Sequence, residues 1–150
     1  QKQSLRRQYG MGELQFHRFF KEALRRKGVT GEILLQLLEL RLDNVVYRLG
    51  FAPSRRAARQ YVLHGHVTVN GRKAAVPSMV LSQGDVVAVK DKAKSRDFAT
   101  KSLDAATKAQ MPAWINLDRT AFKAEIVEIP TREQIAPIVD EQAIVELYSR

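Results

Sequence analysis

Three arginines stand within five residues in the segment SRRAARQYVL, from Ser54 to Leu63. At about 100° per residue, Arg55, Arg56, Arg59 and Gln60 share an arc of about 140°. Ala57, Ala58, Tyr61 and Val62 fill the opposite side. One face therefore packs and the other is nearly all guanidinium, a planar donor fork that matches phosphate oxygens. Arg55 and Arg56 fall in the first helical turn, where the helix dipole disfavours cations by about 0.3–1 kcal/mol each. A sequence tuned only for helix stability places acids there. An anion resolves the conflict, because the arginines and the free N–H groups of that turn both face it. The alternative is a solvated basic face without a partner.

The residues that follow add donors beside this helix. His64, His66, Asn70, Arg72 and Lys73 lie on or near a hairpin whose turn is Asn70-Gly71. Asparagine and histidine can bond sugar hydroxyls or base edges, while arginine and lysine neutralise phosphate. The turn alone explains Asn70, since both of its central positions need positive φ. The pair His64-x-His66 raises the question of a metal. With no cysteine and only His17 besides, a complete ligand set cannot be assembled, so no metal is expected.

Near the start, Arg6, Arg7, Arg18, Lys21, Arg25, Arg26 and Lys27 form a second basic group. Phe16, Phe19 and Phe20 interleave with them, but their i, i+3, i+4 spacing marks core residues. Tyr9, beside Arg7 and two glycines, is the better candidate for stacking on an unpaired base. Catalysis finds no support. There is no phosphate-cradling glycine loop, no GxSxG and no nucleophile with an evident base. Glu39, Asp43 and Asp85 read as caps, turn residues or ion-pair partners. No catalytic residue and no cofactor is expected.

Charge distribution agrees. Residues 1–90 hold 16 Lys and Arg against 6 Asp and Glu, whereas residues 91–150 hold 9 against 10. A polyanionic partner docking on the first 90 residues accounts for that asymmetry; a general need for solubility does not. No run reaches the roughly 18 apolar residues of a membrane span. The absence of cysteine fits a reducing cytoplasm.

These residues need positioning elements. Residues 4–9 suit a helical turn, and residues 13–27 a helix with Phe16, Phe19, Phe20 and Leu24 as its apolar stripe. Arg18, Lys21, Glu22 and Arg25 oppose that stripe. Gly28 stops it, and ILLQLLELRL is a second helix, apolar almost all round. Asp43 or Asn44 can cap a short helix closed by Gly50, and Pro53-Ser54 open the arginine helix that ends at Gly65. Strands follow at HVTV, VVAVK, around Trp114 to Leu117 and from Phe122 to Ile129. Residues 91–110 suggest an exposed helix or helical linker, and Asp140 caps a final helix.

RLDNVVYRLGF, the RxxAR element of SRRAARQ, HGHVTVNG and GDVV together resemble a small RNA-binding module named after bacterial small-subunit ribosomal protein four. Pseudouridine synthases, one class of tyrosine-tRNA ligase and a heat-shock ribosome-rescue protein carry similar modules. The flanks RRQYGMGELQF, KGVTGEILLQLLELRLDNVVYR and IVELYSR are similar to the ribosomal protein family itself. The resemblance implies an α+β protein. Residues 1–41 with 130–150 form a helical domain, and residues 42–129 an inserted α/β RNA-binding domain of two helices on a short, mostly antiparallel twisted sheet.

It also implies a ribosomal, cytoplasmic role. The partners would be the 5′ domain of small-subunit ribosomal RNA at a five-helix junction, and neighbouring proteins, the fifth in particular, near where messenger RNA enters. Binding early in assembly and an influence on decoding accuracy are part of the same implication. Carried over residue by residue, the RNA-facing positions are Arg6, Arg7, Tyr9, Arg18, Lys21 and Arg25 in the first domain. In the second they are Arg48, Arg55, Arg56, Arg59, His64, His66, Arg72 and Lys73. Family members usually begin with a further basic segment, sometimes with metal-binding cysteines. The chain starts at Gln1 without a methionine, so that segment is expected to have been cut off or left out. The expected mechanism is recognition of shape by two basic surfaces. A non-resident RNA-binding regulator using the same module is the competing reading.

Overall fold

The computed structural model describes residues 6–106 and 111–135. Contacts divide the chain into two compact units. The segments Gln1–Glu39 and Pro130–Arg150 belong to one, and Leu40–Ile129 forms the other. The helix expected from Asp140 lies outside the described residues.

In the first unit a helical turn at residues 6–8 leads to α1 (Glu13–Arg25) and α2 (Thr30–Glu39). α1 buries Phe16, Phe20 and Ala23. Leu24, expected in that stripe, is 48% exposed, because it stands about 80° around the helix from Phe16. α2 buries Leu34, Leu35, Leu37 and Leu38, and these pack with Tyr9, Met11 and Ile135 into one core. Glu39 is buried at the end of α2, where its carboxylate accepts the Tyr9 hydroxyl at 2.6 Å. Gln36 donates to the carbonyl of Pro130 at 3.0 Å, tying the returning segment to α2.

The second unit opens on a buried charge. Arg41, extended at φ −62 and ψ 141, precedes α3 (Leu42–Leu49), and its guanidinium is wholly enclosed. Its Nε and Nη2 donate to the two carboxylate oxygens of Asp43 at 3.1 and 2.9 Å. The sequence suggests Asp43 or Asn44 as a helix cap. Instead the helix begins at Leu42, and Asp43 lies in its first turn, accepting the Asn44 N–H at 2.7 Å. The backbone around this pair is bound to a later loop. Leu42 and Asp43 donate to Met79 and Pro77, and Leu81 donates to Leu40. Those bonds draw Leu40 and Arg41 into this unit, so the division falls after Glu39.

Gly50, at φ +84, closes α3 in the left-handed conformation that glycine adopts without Cβ strain. α4 (Arg55–Leu63) starts at Ser54, whose Oγ accepts the Ala57 N–H at 3.0 Å. The strands are β1 (Val67–Val69), β2 (Arg72–Lys73), β3 (Val86–Val89), β4 (Ile115–Asp118) and β5 (Lys123–Ile126). They form one antiparallel sheet in the order β2-β1-β3-β5-β4. At the hairpin tip, Asn70 and Gly71 have φ of 53 and 80, as the dipeptide requires. Alternation is clean in β1, β3 and β5, with Val67, Val69, Val87, Val89, Ala124 and Ile126 facing the core.

α5 (Ala93–Ala105) overturns one expectation. The segment reads as an exposed helix or a helical linker; the helix is there, yet it buries Ser95, Ala99, Ser102 and Leu103. Small residues at helical spacing make a face that packs closely while contributing little hydrophobicity to the sequence pattern. The sheet thus shares its core with α3, α4 and α5, where two helices were expected. Tyr61 binds α5 to α4, its hydroxyl donating to the Ser95 carbonyl at 2.6 Å. Its ring is stacked with both His66, at 4.8 Å, and Phe98, at 4.9 Å. His66 Nδ1 meets Ser95 Oγ at 2.7 Å.

Two predictions follow from this packing. Asp43→Ala leaves an enclosed guanidinium without its carboxylate and should cost about 3–5 kcal/mol. Replacing Arg41 and Asp43 together by Met and Leu should recover most of that. Urea denaturation of the three chains checks it, and a loss below about 1 kcal/mol for Asp43→Ala contradicts the role of the pair. Partial burial, and then the charges of His64, Lys94 and Lys90, hold His66 below its ordinary pKa. The unfolded chain therefore takes up this proton first. The stability linked to His66 is complete above the ordinary histidine pKa and is lost as pH falls below it, toward the lower folded value. Thermal melting from pH 7.5 to 5 should show that decline, and His66→Asn should flatten it; an unchanged slope in the variant refutes the assignment.

Candidate nucleic-acid interface

The three arginines of α4 are not equivalent in the folded module. Arg56 and Arg59 are exposed, as is Gln60, and neither arginine forms an ion pair among the described residues. The first turn of α4 contains no acidic residue. Arg55 is half-buried and held from two sides. Its Nε donates to Asn44 Oδ1 at 3.0 Å, and its guanidinium carbon lies 4.7 Å from the centre of the Tyr47 ring. Both contacts come from α3, so α3 fixes the direction of one guanidinium on α4. A cation held over an aromatic face is attracted by the ring quadrupole. Asn44 and Tyr47 are positioning residues that sequence reasoning missed. RLDNVVYRLGF contains them, but no local signal says that they reach a helix 11 positions later.

Beyond α4 the chain turns at Gly65, φ +79, and the hairpin returns beside it. A Cβ on Gly65 would stand 2.6 Å from Lys73 Cε, so the lysine side chain lies directly across this glycine. The missing side chain at Gly65 thus lets a hairpin cation reach the C-terminal end of α4. His64 and Arg72 are exposed alongside. Asn70 is committed elsewhere: it donates to Asp85 Oδ1 at 2.9 Å and accepts the Val86 N–H at 2.8 Å. His66, engaged by Tyr61 and Ser95, is a half-buried packing residue with limited access to a ligand. Arg48 is half-buried at the end of α3, 5.9 Å from the Tyr47 ring centre.

In the helical unit, Arg7, Arg18, Lys21 and Arg25 are exposed and Arg6 is half-buried. Arg25 and Arg26 both bond Glu22, at 2.7 and 2.8 Å. Those hydrogen bonds, first from Arg25 and then from Arg26, hold the Glu22 carboxyl at about 2, so it remains an anion that offsets part of this charge. Tyr9 requires a correction. Its ring is only 3% exposed and its hydroxyl is bonded to Glu39. A buried ring cannot stack on a base; the adjacent glycines suggested exposure, but the ring anchors the core.

The arrangement can bind an extended polyanion through exposed guanidinium and ammonium groups on packed elements. Among the described residues it assembles no nucleophile with a base. Comparisons with known proteins agree with this chemistry. Residues 1–39 match the ribosomal protein S4/S9 N-terminal domain, and residues 40–87 match the S4 domain. The small ribosomal subunit protein uS4 of Akkermansia muciniphila is 54% identical over 150 residues, covering all of this chain and 74% of that protein. Its counterpart in Geobacter metallireducens is 53% identical, and uS4A of Symbiobacterium thermophilum 51%, each match covering all of this chain and 72% of the relative. With half of its residues shared over its full length, and with the same two domains in succession, the chain belongs to the small ribosomal subunit protein uS4 family, whose members are structural proteins and not enzymes.

Proposed function

We propose that this protein binds small-subunit ribosomal RNA directly and is a resident of the cytoplasmic small subunit. The observation that carries the reading is the pair Arg56 and Arg59. They are exposed and without ion pairs among the described residues, on a helix whose first turn holds cations and no acid. Free of ligand, that helix start is electrostatically unfavourable; against phosphate it becomes favourable. Arg55, pre-oriented by Asn44 and Tyr47, loses less conformational freedom on binding than a free side chain.

The module expected over residues 42–129, which in the fold also takes in Leu40 and Arg41, acts as an RNA-binding domain inserted in the helical one. Arg48, His64, Arg72 and Lys73 extend the surface begun by α4. Arg6, Arg7, Arg18, Lys21 and Arg25 supply a second basic surface in the helical domain. The target is a multi-helix junction in the 5′ domain, recognised by its shape and phosphates more than by its base sequence. A protein that binds the folded junction and not its unfolded form stabilises the fold by mass action, which suits an early assembly role. Contact with neighbouring subunit proteins, the fifth among them, and an influence on decoding belong to the same reading. The identity of the relatives as small ribosomal subunit proteins supports it at the level of the subunit.

Arg56→Ala and Arg59→Ala should each weaken binding to a 5′-domain RNA fragment and lower the salt slope, log K against log salt, by about 1. Thermal stability should remain within about 0.5 kcal/mol, since both side chains are exposed. Equal affinity for both variants at moderate salt contradicts the role of α4. One copy per salt-washed small subunit identifies a resident, and loss in the wash identifies a visiting regulator.

A further inference from the structure

The chain from β3 into α5 reads as AVKDKAKSR, across the boundary between the basic and the near-neutral parts of the chain, and contributes nothing to the basic surfaces inferred from the sequence. The fold changes that. β1 is flanked by β2 on one side and β3 on the other. Lys73, on β2, pairs with Thr68 and extends across Gly65. On the other side, the Lys90 N–H donates to the His66 carbonyl at 2.8 Å, and the Lys92 N–H to the Lys90 carbonyl at 2.8 Å. Three cations, one from β2 and two from the β3–α5 connection, thus gather around the turn that joins α4 to β1, beside exposed His64.

The acids of the region do not compensate them. Asp91 lies between Lys90 and Lys92 in sequence but pairs with Arg96 at 3.6 Å. None of Lys73, Lys90, Lys92 and Lys94 forms an ion pair among the described residues. Like α4, α5 has no acid in its first turn; unlike α4, it also lacks a side-chain cap, with Lys92 at the cap position. The crowding is felt at Lys90, which the charge of Lys92, then partial burial, then the charge of Lys73 hold below the usual lysine range.

We infer that Lys73, Lys90 and Lys92, with Lys94 and His64 at the margin, form a second phosphate-binding centre that holds RNA backbone at the opposite end of α4 from Arg56. This rests on the RNA-binding reading above and extends it to residues after the hairpin. Like charges brought together without acids destabilise the free protein; phosphodiesters remove the repulsion and gain charge-assisted hydrogen bonds. Ammonium groups suit this role because they act as point charges, neutralising the backbone without reading bases.

The test compares Lys90→Gln/Lys92→Gln with Arg56→Ala/Arg59→Ala in the full chain, titrating a 5′-domain RNA fragment between about 0.1 and 0.4 M salt. Each lost phosphate contact lowers the salt slope by about 0.7–0.9, or affinity by roughly five- to eightfold at 0.1 M salt. The lysine pair should therefore lower the slope by about 1.4–1.8, while its melting temperature stays equal or rises. Lys101→Gln/Lys123→Gln, exposed lysines elsewhere on the module, should leave the slope unchanged. If only the arginine pair loses affinity, the second centre is refuted and the α4 interface stands. If the control pair loses as much as Lys90 and Lys92, general charge explains the effect and the centre is refuted. If neither the arginine nor the lysine pair changes binding, the RNA-binding reading itself falls.

Discussion

The enclosed ion pair between Arg41 and Asp43 organises the α/β unit. A guanidinium removed from water tolerates that position only with its carboxylate in bidentate contact and its surroundings fixed. Several features depend on meeting that demand. Asp43 must sit in the first turn of α3, where it also takes the Asn44 N–H. The backbone on either side of Arg41 is bonded to the loop from Pro77 to Leu81. Asn44, placed by this arrangement, then holds Arg55 on α4. A chain of polar contacts therefore runs from a buried charge to a surface guanidinium, and the orientation of that guanidinium follows from the core.

The surface follows a different logic. α4 and α5 both begin with cations where the helix dipole favours acids, and neither first turn holds an acidic residue. In a protein shaped only for stability these are errors, each small and each easily corrected by one substitution. Their recurrence at two helix starts, in a unit whose interior charge is carefully paired, separates the two demands on the sequence. The interior satisfies its charge within the chain. The exterior leaves charge unsatisfied and becomes most favourable when an anion arrives.

Some of the architecture is local and so was legible. Asn70-Gly71, Ser54 as a cap, Gly50 and Gly65 as helix stops and the alternation of β1 and β3 depend on neighbours a few residues apart. The helix of α5 was legible but its burial escaped, because its buried face is made largely of Ser95, Ala99 and Ser102, whose packing depends on close approach and leaves little trace in hydropathy. Tyr9 escaped for the reverse reason. Glycines and arginines around it mark a polar, open stretch, while the partner that buries it, Glu39, is 30 residues away.

The sequence alone determined the basic half of the chain, the helix carrying three arginines, the hairpin and the family resemblance. Each of these is a matter of residue types at short spacing, which helical and strand periodicity convert directly into faces. Only the tertiary structure decided which cations are free and which are committed. Arg55 is braced by α3, Arg25 is shared with Glu22, and His66 is packed on Tyr61. Lys90 and Lys92 join Lys73 because β1 lies between β2, which carries Lys73, and β3, which leads into the two lysines. Pairing and crowding of charge depend on distances of a few ångströms between residues far apart in the chain, and only folding sets those distances.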